Sequence, residues 1–194
     1  MLGKLEELLK IKGEKLMKTH VITRDQLDSD NNYVGAIDLT NFDGSLEADK
    51  DFGNIKFKSL SIAGYIWFKA GSGIEADEGI KAGWGIKAGF GIEAGGWIEV
   101  GGAIKAGWGI EAEGGIEAGL GIQAGRGIEA GWGIKANEGI EADRGIEAVG
   151  GIAAGGVIKA GWGIKAGGII KAVGGIAAGG VIEANEGIEA GRGI

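Results

Sequence analysis

One histidine, His20, and no cysteine limit the chemistry open to this chain of 194 residues. The missing thiols exclude disulfides, thiolate metal sites and cysteine nucleophiles. A single imidazole excludes a multi-histidine metal centre and argues against a histidine-dependent active site. The chain instead carries carboxylates and ammonium groups on a strict beat. Between residues 74 and 194 a Glu stands at ten and a Lys at seven of twenty equivalent positions, six residues apart. Paired carboxylates do chemistry when a pocket drives their pKa values apart. A column of carboxylates on one repeating outer face has no such pocket, so it reads as a binding surface.

The element that carries this beat is a hexapeptide repeat. Isoleucine occurs at every sixth position from Ile74 to Ile194, 21 times in succession. The unit is Ile-x-Ala-Gly-x-Gly, and Val100 is the one departure from Ala two residues after Ile in the 20 complete units. Alternate residues of a strand face opposite sides, so Ile and Ala point inward and the charged residue between them points out. Gly-x-Gly then turns the chain, which suggests corners in the left-handed region that glycine enters freely. Asp77, Asn137, Asp143 and Asn185 replace the first corner glycine in keeping with that expectation. Glu113, Val149 and Val173 replace it too, which fits a corner that needs glycine at some places and forgives others. Phe68 to Gly73 reads as one further unit ahead of the first Ile.

The charge columns indicate how many units close a coil. With three units, one face reads Glu75, Glu93, Glu111, Glu129, Glu147, Lys165 and Glu183, and another reads Lys69, Lys87, Lys105, Gln123, Glu141, Lys159 and Ala177. With two units the charges do not segregate. A competing signal of four units relates Trp84, Trp108 and Trp132, and makes 148–158 identical to 172–182. Four units per coil would produce it, and so would slippage in the gene; slippage is the reading adopted, because a recent copy keeps neutral positions too. The expected fold is an all-β, triangular β-solenoid of about seven 18-residue coils, a rod of about 33 Å. In that register Phe90, Trp108, Arg126, Arg144 and Trp162 fall on one corner. Stacked aromatic and guanidinium groups support each other and are the types that dominate binding hot spots. These five residues, with Glu75, Glu93, Glu111, Glu129 and Glu147, are the candidate partner-binding set.

The repeat resembles the hexapeptide-repeat β-helix families, namely the left-handed β-helix acyltransferases and, more loosely, the bactofilin filament proteins. The resemblance covers 68–194 and lies in period and composition. In the acyltransferase motif the small inward residue precedes the aliphatic one by two positions, whereas here Ala follows Ile by two. The acyltransferases also use a histidine between coils, and His20 lies outside the repeat. The resemblance to bactofilins implies end-to-end stacking into filaments, with the solenoid end as a self-association surface.

The segment before the repeat divides in two. Leu2, Leu5, Leu8, Leu9 and Leu16 fall near helical spacing, so 1–17 is expected to be an amphipathic helix. Alternatively, the Lys12–Met17 codons can encode a ribosome-binding site before a start, which makes 1–16 a translated leader and Met17 the start. Residues 18–67 show strand-like alternation broken by turn clusters at 28–32 and 41–44, and are expected to cap the solenoid. At the other end the repeat runs to Ile194 and stops mid-unit.

Composition narrows the function. Glycine supplies 44 residues, yet there is no Pro for collagen, and 44% apolar residues is too many for disorder. Net charge is −7, from 11 acids and 10 bases in 1–73 and 16 acids and 10 bases in 74–194. That balance opposes direct nucleic-acid binding, and no apolar run is long enough for a membrane span. No cofactor is implied. The expectation is a cytoplasmic, non-enzymatic rod docking on a protein or nucleoprotein complex. A phage-encoded inhibitor of a host defence complex, of the anti-CRISPR kind, would have this style. The alternatives are a bactofilin-like filament and, with its histidine missing, a hexapeptide acyltransferase.

Overall fold

The structure, a computed structural model, describes residues 17–194. The helix or leader expected at 1–17 lies, but for Met17, outside them. A three-residue strand cannot satisfy its own backbone, and here each finds partners one coil above and one below. Ile92 N–H donates to Gly109 O at 3.0 Å, and Gly95 N–H to Ala76 O at 2.9 Å. Pairing throughout the repeat is parallel and in register, each unit on the third unit after it. Ile therefore stands on Ile, as in Ile98 with Ile116, Ile104 with Ile122 and Ile110 with Ile128. The strands assemble into three sheets of nine, eight and eight. The protein is therefore a β-solenoid of about eight coils, with a length of about 38 Å at the usual strand spacing. Among the described residues no helix is long and apolar enough to cross a membrane.

Three units close each coil. Trp84, Trp108 and Trp132 sit on three different corners, and the duplicated segments place Ile152 on one sheet and Ile176 on another. The four-unit relation is thus one of sequence and not of coil geometry. The interior is a stack of Ile and Ala. Every repeat isoleucine from Ile74 to Ile176 is at most 2% exposed, each contributing about 1.5–3 kcal/mol of apolar burial.

The solenoid begins earlier than the repeat suggests. Strands β1 (Lys18–Val21), β2 (Gly44–Ala48), β3 (Gly53–Phe57), β4 (Leu60–Ile62), β5 (Ile66–Phe68) and β6 (Ser72–Ala76) belong to the same three sheets as the rest. Leu46 pairs with Ile66, Ile55 with Ile74, Leu60 with Ile80 and Ile66 with Ile86, so the early coils are slightly longer than those of the repeat. Segment 44–67 is therefore coil, and the cover over the core is confined to 18–43, which buries Ile22, Leu27 and Leu39. The unit expected at Phe68 is also displaced. Ile66 takes the isoleucine position, Phe68 is buried where Ala stands later, and Trp67 rather than Lys69 joins the lysine column. The chain makes a longer excursion at this corner, where Gly71 adopts φ +87 and Ser72 Oγ donates to Lys50 O at 2.6 Å.

The corner glycines work by a different cause from the one expected. Among the described residues positive φ is confined to Asn31, Gly53, Gly71, Gly187 and Gly193, so Asp77, Asn137, Asp143 and Asn185 are not left-handed. A Cβ on Gly95, Gly101, Gly107 or Gly119 would instead collide with the carbonyl oxygen of the rung below. At the third corner position the crowding is milder: a Cβ on Gly109 or Gly145 would lie 3.5 Å from the carbonyl above. That position accommodates Trp97, Ala103, Val157, Ile169 and Val181. Each follows a Gly, and a Cβ on Gly96 or Gly180 would sit 2.8 Å from a backbone oxygen.

Candidate functional site

The outward position of each strand gives the rod three chemically different faces. The acidic face stacks Lys56, Glu75, Glu93, Glu111, Glu129, Glu147 and Lys165 on consecutive rungs. Rung spacing holds neighbouring positions about 4.8 Å apart. A lysine flanks the five consecutive glutamates at each end, with Lys56 Nζ 3.5 Å from Glu75 and Lys165 Nζ 3.2 Å from Glu147, and Glu183 stands on the rung beyond Lys165. Among the described residues no cation forms an ion pair with Glu93, Glu111 or Glu129. Directly stacked like charges are unfavourable, and Glu93 shows it. Desolvation by the packed rungs raises its pKa above the ordinary carboxylate value, Glu111 and Glu75 raise it further, and Lys56 offsets part of the rise.

The alternating face is built the other way. Lys81 meets Glu99 at 2.9 Å, Lys135 meets Glu117 at 2.8 Å and Lys171 meets Glu189 at 2.7 Å. The third, the lysine face, runs through Glu47, Trp67, Lys87, Lys105, Gln123, Glu141 and Lys159, and pairs Lys159 with Glu141 at 3.0 Å. Among the outward strand positions, carboxylates without an ion pair are thus concentrated on the acidic face.

The corner between the lysine and acidic faces carries Phe90, Trp108, Arg126, Arg144 and Trp162 on five successive rungs. Each amide from Trp108 onward donates to the carbonyl of the residue below, at 3.0–3.3 Å. Phe90 and Trp108 stack with centroids 4.6 Å apart at 24°. The Arg126 guanidinium lies 4.2 Å from the Trp108 ring centroid and that of Arg144 5.3 Å from Trp162. All ten residues singled out in the sequence therefore fall on one face and its bordering ridge. Lys56 escaped that reading because its coil is longer than a repeat coil, which puts it off the six-residue beat.

His20 lies in the cover over the N-terminal end. Its Nε2 is 3.1 Å from Tyr33 Oη, and its ring meets Phe42 edge-on. Burial lowers its pKa, consistent with a packing role. Among the described residues no three His, Asp or Glu are grouped to hold a metal ion. No family model, curated protein or solved structure matches the chain.

Proposed function

We propose that the protein is a non-enzymatic interaction protein, a rigid acidic rod that docks its carboxylate ladder and adjoining ridge on a basic surface. The uncompensated Glu93–Glu111–Glu129 column carries this reading. Its mutual repulsion is present before any partner arrives, so a cationic surface relieves it on contact. The field of the column also steers a basic partner during encounter. The ridge beside it supplies aromatic and arginine anchors of the kind that dominate interface energetics. Nucleic acid itself is repelled by this face. The partner is a basic protein or nucleoprotein, and a cytoplasmic nucleic-acid-handling complex fits best, its phosphate-binding channel being occupied by carboxylates in place of phosphates. An inhibitor of a host defence complex, phage-encoded and anti-CRISPR-like, is the biological role proposed.

The test is affinity capture from bacterial lysate with the full chain and with Glu93→Lys/Glu111→Lys/Glu129→Lys in parallel. A basic nucleic-acid-binding complex retained by the first and lost with the second is the expected result, with circular dichroism showing that the variant keeps its strands. Equal retention by both proteins would sink the proposal.

A further inference from the structure

A second surface lies away from the acidic ladder. Lys81, Lys135, Lys159, Lys165 and Lys171 each have a carboxylate partner. Lys69, Lys87 and Lys105 form no ion pair among the described residues. Two of them lie instead over an indole, Lys69 Nζ 5.9 Å and Lys87 Nζ 5.5 Å from the Trp67 ring centroid. Beside Lys87 and Lys105, where the alternating face turns into the lysine face, runs an open trough of about 830 Å³. Its walls are Trp67, Trp84 and Leu120, which are 40%, 60% and 45% exposed.

The trough is built into the coil. Trp84, Gly102 and Leu120 occupy the same corner position on three successive rungs, and Leu120 N–H donates to Gly102 O at 3.1 Å. A Cβ on Gly102 would collide with the Trp84 carbonyl oxygen, and one on Gly101 with that of Gly83. The middle rung therefore cannot carry a side chain at either of these two positions without moving backbone. The gap between Trp84 and Leu120, about two rungs or 9–10 Å wide, stays open to a bulky apolar group. Exposed aromatic surface next to unpaired ammonium groups is what an anchored interface residue needs.

We propose that this trough binds an acidic polypeptide segment carrying a bulky apolar side chain. The apolar side chain enters between Trp84 and Leu120, and flanking carboxylates meet Lys87 and Lys105. The length of the positive stretch selects a peptide over nucleic acid. Glu47 lies below Trp67, and Gln123 and then Glu141 follow Lys105. A polyanion tracking the rod would meet a carboxylate within two rungs, whereas a short acidic segment ends before it. The site is separate from the acidic ladder, and it makes the rod two-faced, able to bridge a basic partner and an acidic one.

The experiment is fluorescence anisotropy of the full chain with three labelled probes: the peptide EDLFE, its neutral counterpart QNLFQ, and single-stranded oligo-dT. The expected result is that the acidic peptide binds about tenfold more tightly than the neutral one, a difference of about 1.4 kcal/mol, and more tightly than oligo-dT. Lys87→Glu/Lys105→Glu should lose that advantage, Trp84→Ser should weaken both peptides, and Lys135→Glu on the alternating face should change neither. Lys87→Gln/Lys105→Gln repeats the charge test without introducing new carboxylates. Equal binding of the two peptides, tighter binding of oligo-dT, or indifference to the Lys87 and Lys105 variants would each overturn the assignment.

Discussion

The guanidinium of Arg126 stacks on the indole of Trp108, 4.2 Å from its centroid, and forms no ion pair with the carboxylates of the face it borders. Arg144 does the same on Trp162. Two cations that could neutralise the acidic ladder are thereby held on the ridge, and the ladder keeps its field. Trp108→Ala removes the platform under Arg126 and the stacking on Phe90 together. It should cost about 1–2.5 kcal/mol, the sum expected for an exposed cation–π contact and an aromatic pair. The freed Arg126 should then screen Glu111 and Glu129, weakening a cationic probe such as oligo-lysine. Trp108→Phe should retain most of both effects. Thermal unfolding and oligo-lysine titration of the three proteins check this, and unchanged probe affinity in the alanine variant would contradict it.

The core is quasi-one-dimensional, since each rung touches only its neighbours. Ile110 is 1% exposed, whereas Ile188 in the last coil is only partly buried. Ile110→Ala should cost about 2–5 kcal/mol, the range for a large-to-small change in a packed interior. Ile188→Ala should cost clearly less, because part of its surface is already in water. Hydrogen exchange sharpens the contrast: loss of protection should centre on the Ile92, Ile110 and Ile128 rungs in the first variant and stay at the C-terminal rungs in the second. Uniform loss along the rod in both would show that the coils unfold as one block.

Neighbouring corner glycines should respond differently to the same substitution. A Cβ on Gly107 would run into the Gly89 carbonyl oxygen, whereas one on Gly109 would lie 3.5 Å from the Gly127 oxygen, an ordinary contact. Gly107→Ala must therefore spread two rungs of backbone. It should cost about 1–3 kcal/mol, typical of overpacking. Gly109→Ala should be neutral, or stabilising by about 0.4–1 kcal/mol through the reduced entropy of the unfolded chain. Denaturant midpoints of the two variants decide it, and equal losses would show that corner conformation governs after all.

The repeat could be read from sequence because inward Ile and Ala and outward charge recur without a gap, and the charge columns gave the three-sided coil. The start of the solenoid could not. Leu46, Ile55, Leu60 and Ile66 occupy the isoleucine positions at uneven spacing, and Phe57 and Phe68 stand where Ala stands later. A wider interior needs longer coils, and the six-residue beat is lost. The role of the corner glycines was hidden for a related reason. Their crowding arises between residues a full coil apart, where a local preference for φ says nothing. The candidate site was legible as columns, yet its chemistry depends on which charges pair. Lys56 beneath Glu75 and Trp67 beneath Lys87 come from coils of unequal length, so no fixed spacing could have placed them.

The ladder and the cover should pull stability in opposite directions as pH falls. Glu93 has a pKa raised above its ordinary 4.5, first by desolvation and then by Glu111 and Glu75, with Lys56 opposing. The native state therefore binds this proton more tightly than the unfolded chain, and stability rises as pH falls through the raised value towards 4.5. His20, beside Tyr33 and Phe42, has a pKa lowered from 6.5 by burial. Its contribution is present above 6.5 and is lost as pH falls through the lowered value. On acidification from neutrality the His20 loss should begin as the pH passes 6.5, and the Glu93 gain should be complete once the pH has fallen below 4.5. Glu93→Gln should raise the melting temperature at pH 7 and leave it unchanged at pH 4, where the native carboxylate is already protonated. An equal gain at both values would trace the effect to something other than charge. His20→Gln should flatten the slope between pH 7 and 5 and leave the ladder's rise intact, which separates the two groups in a single set of melting curves.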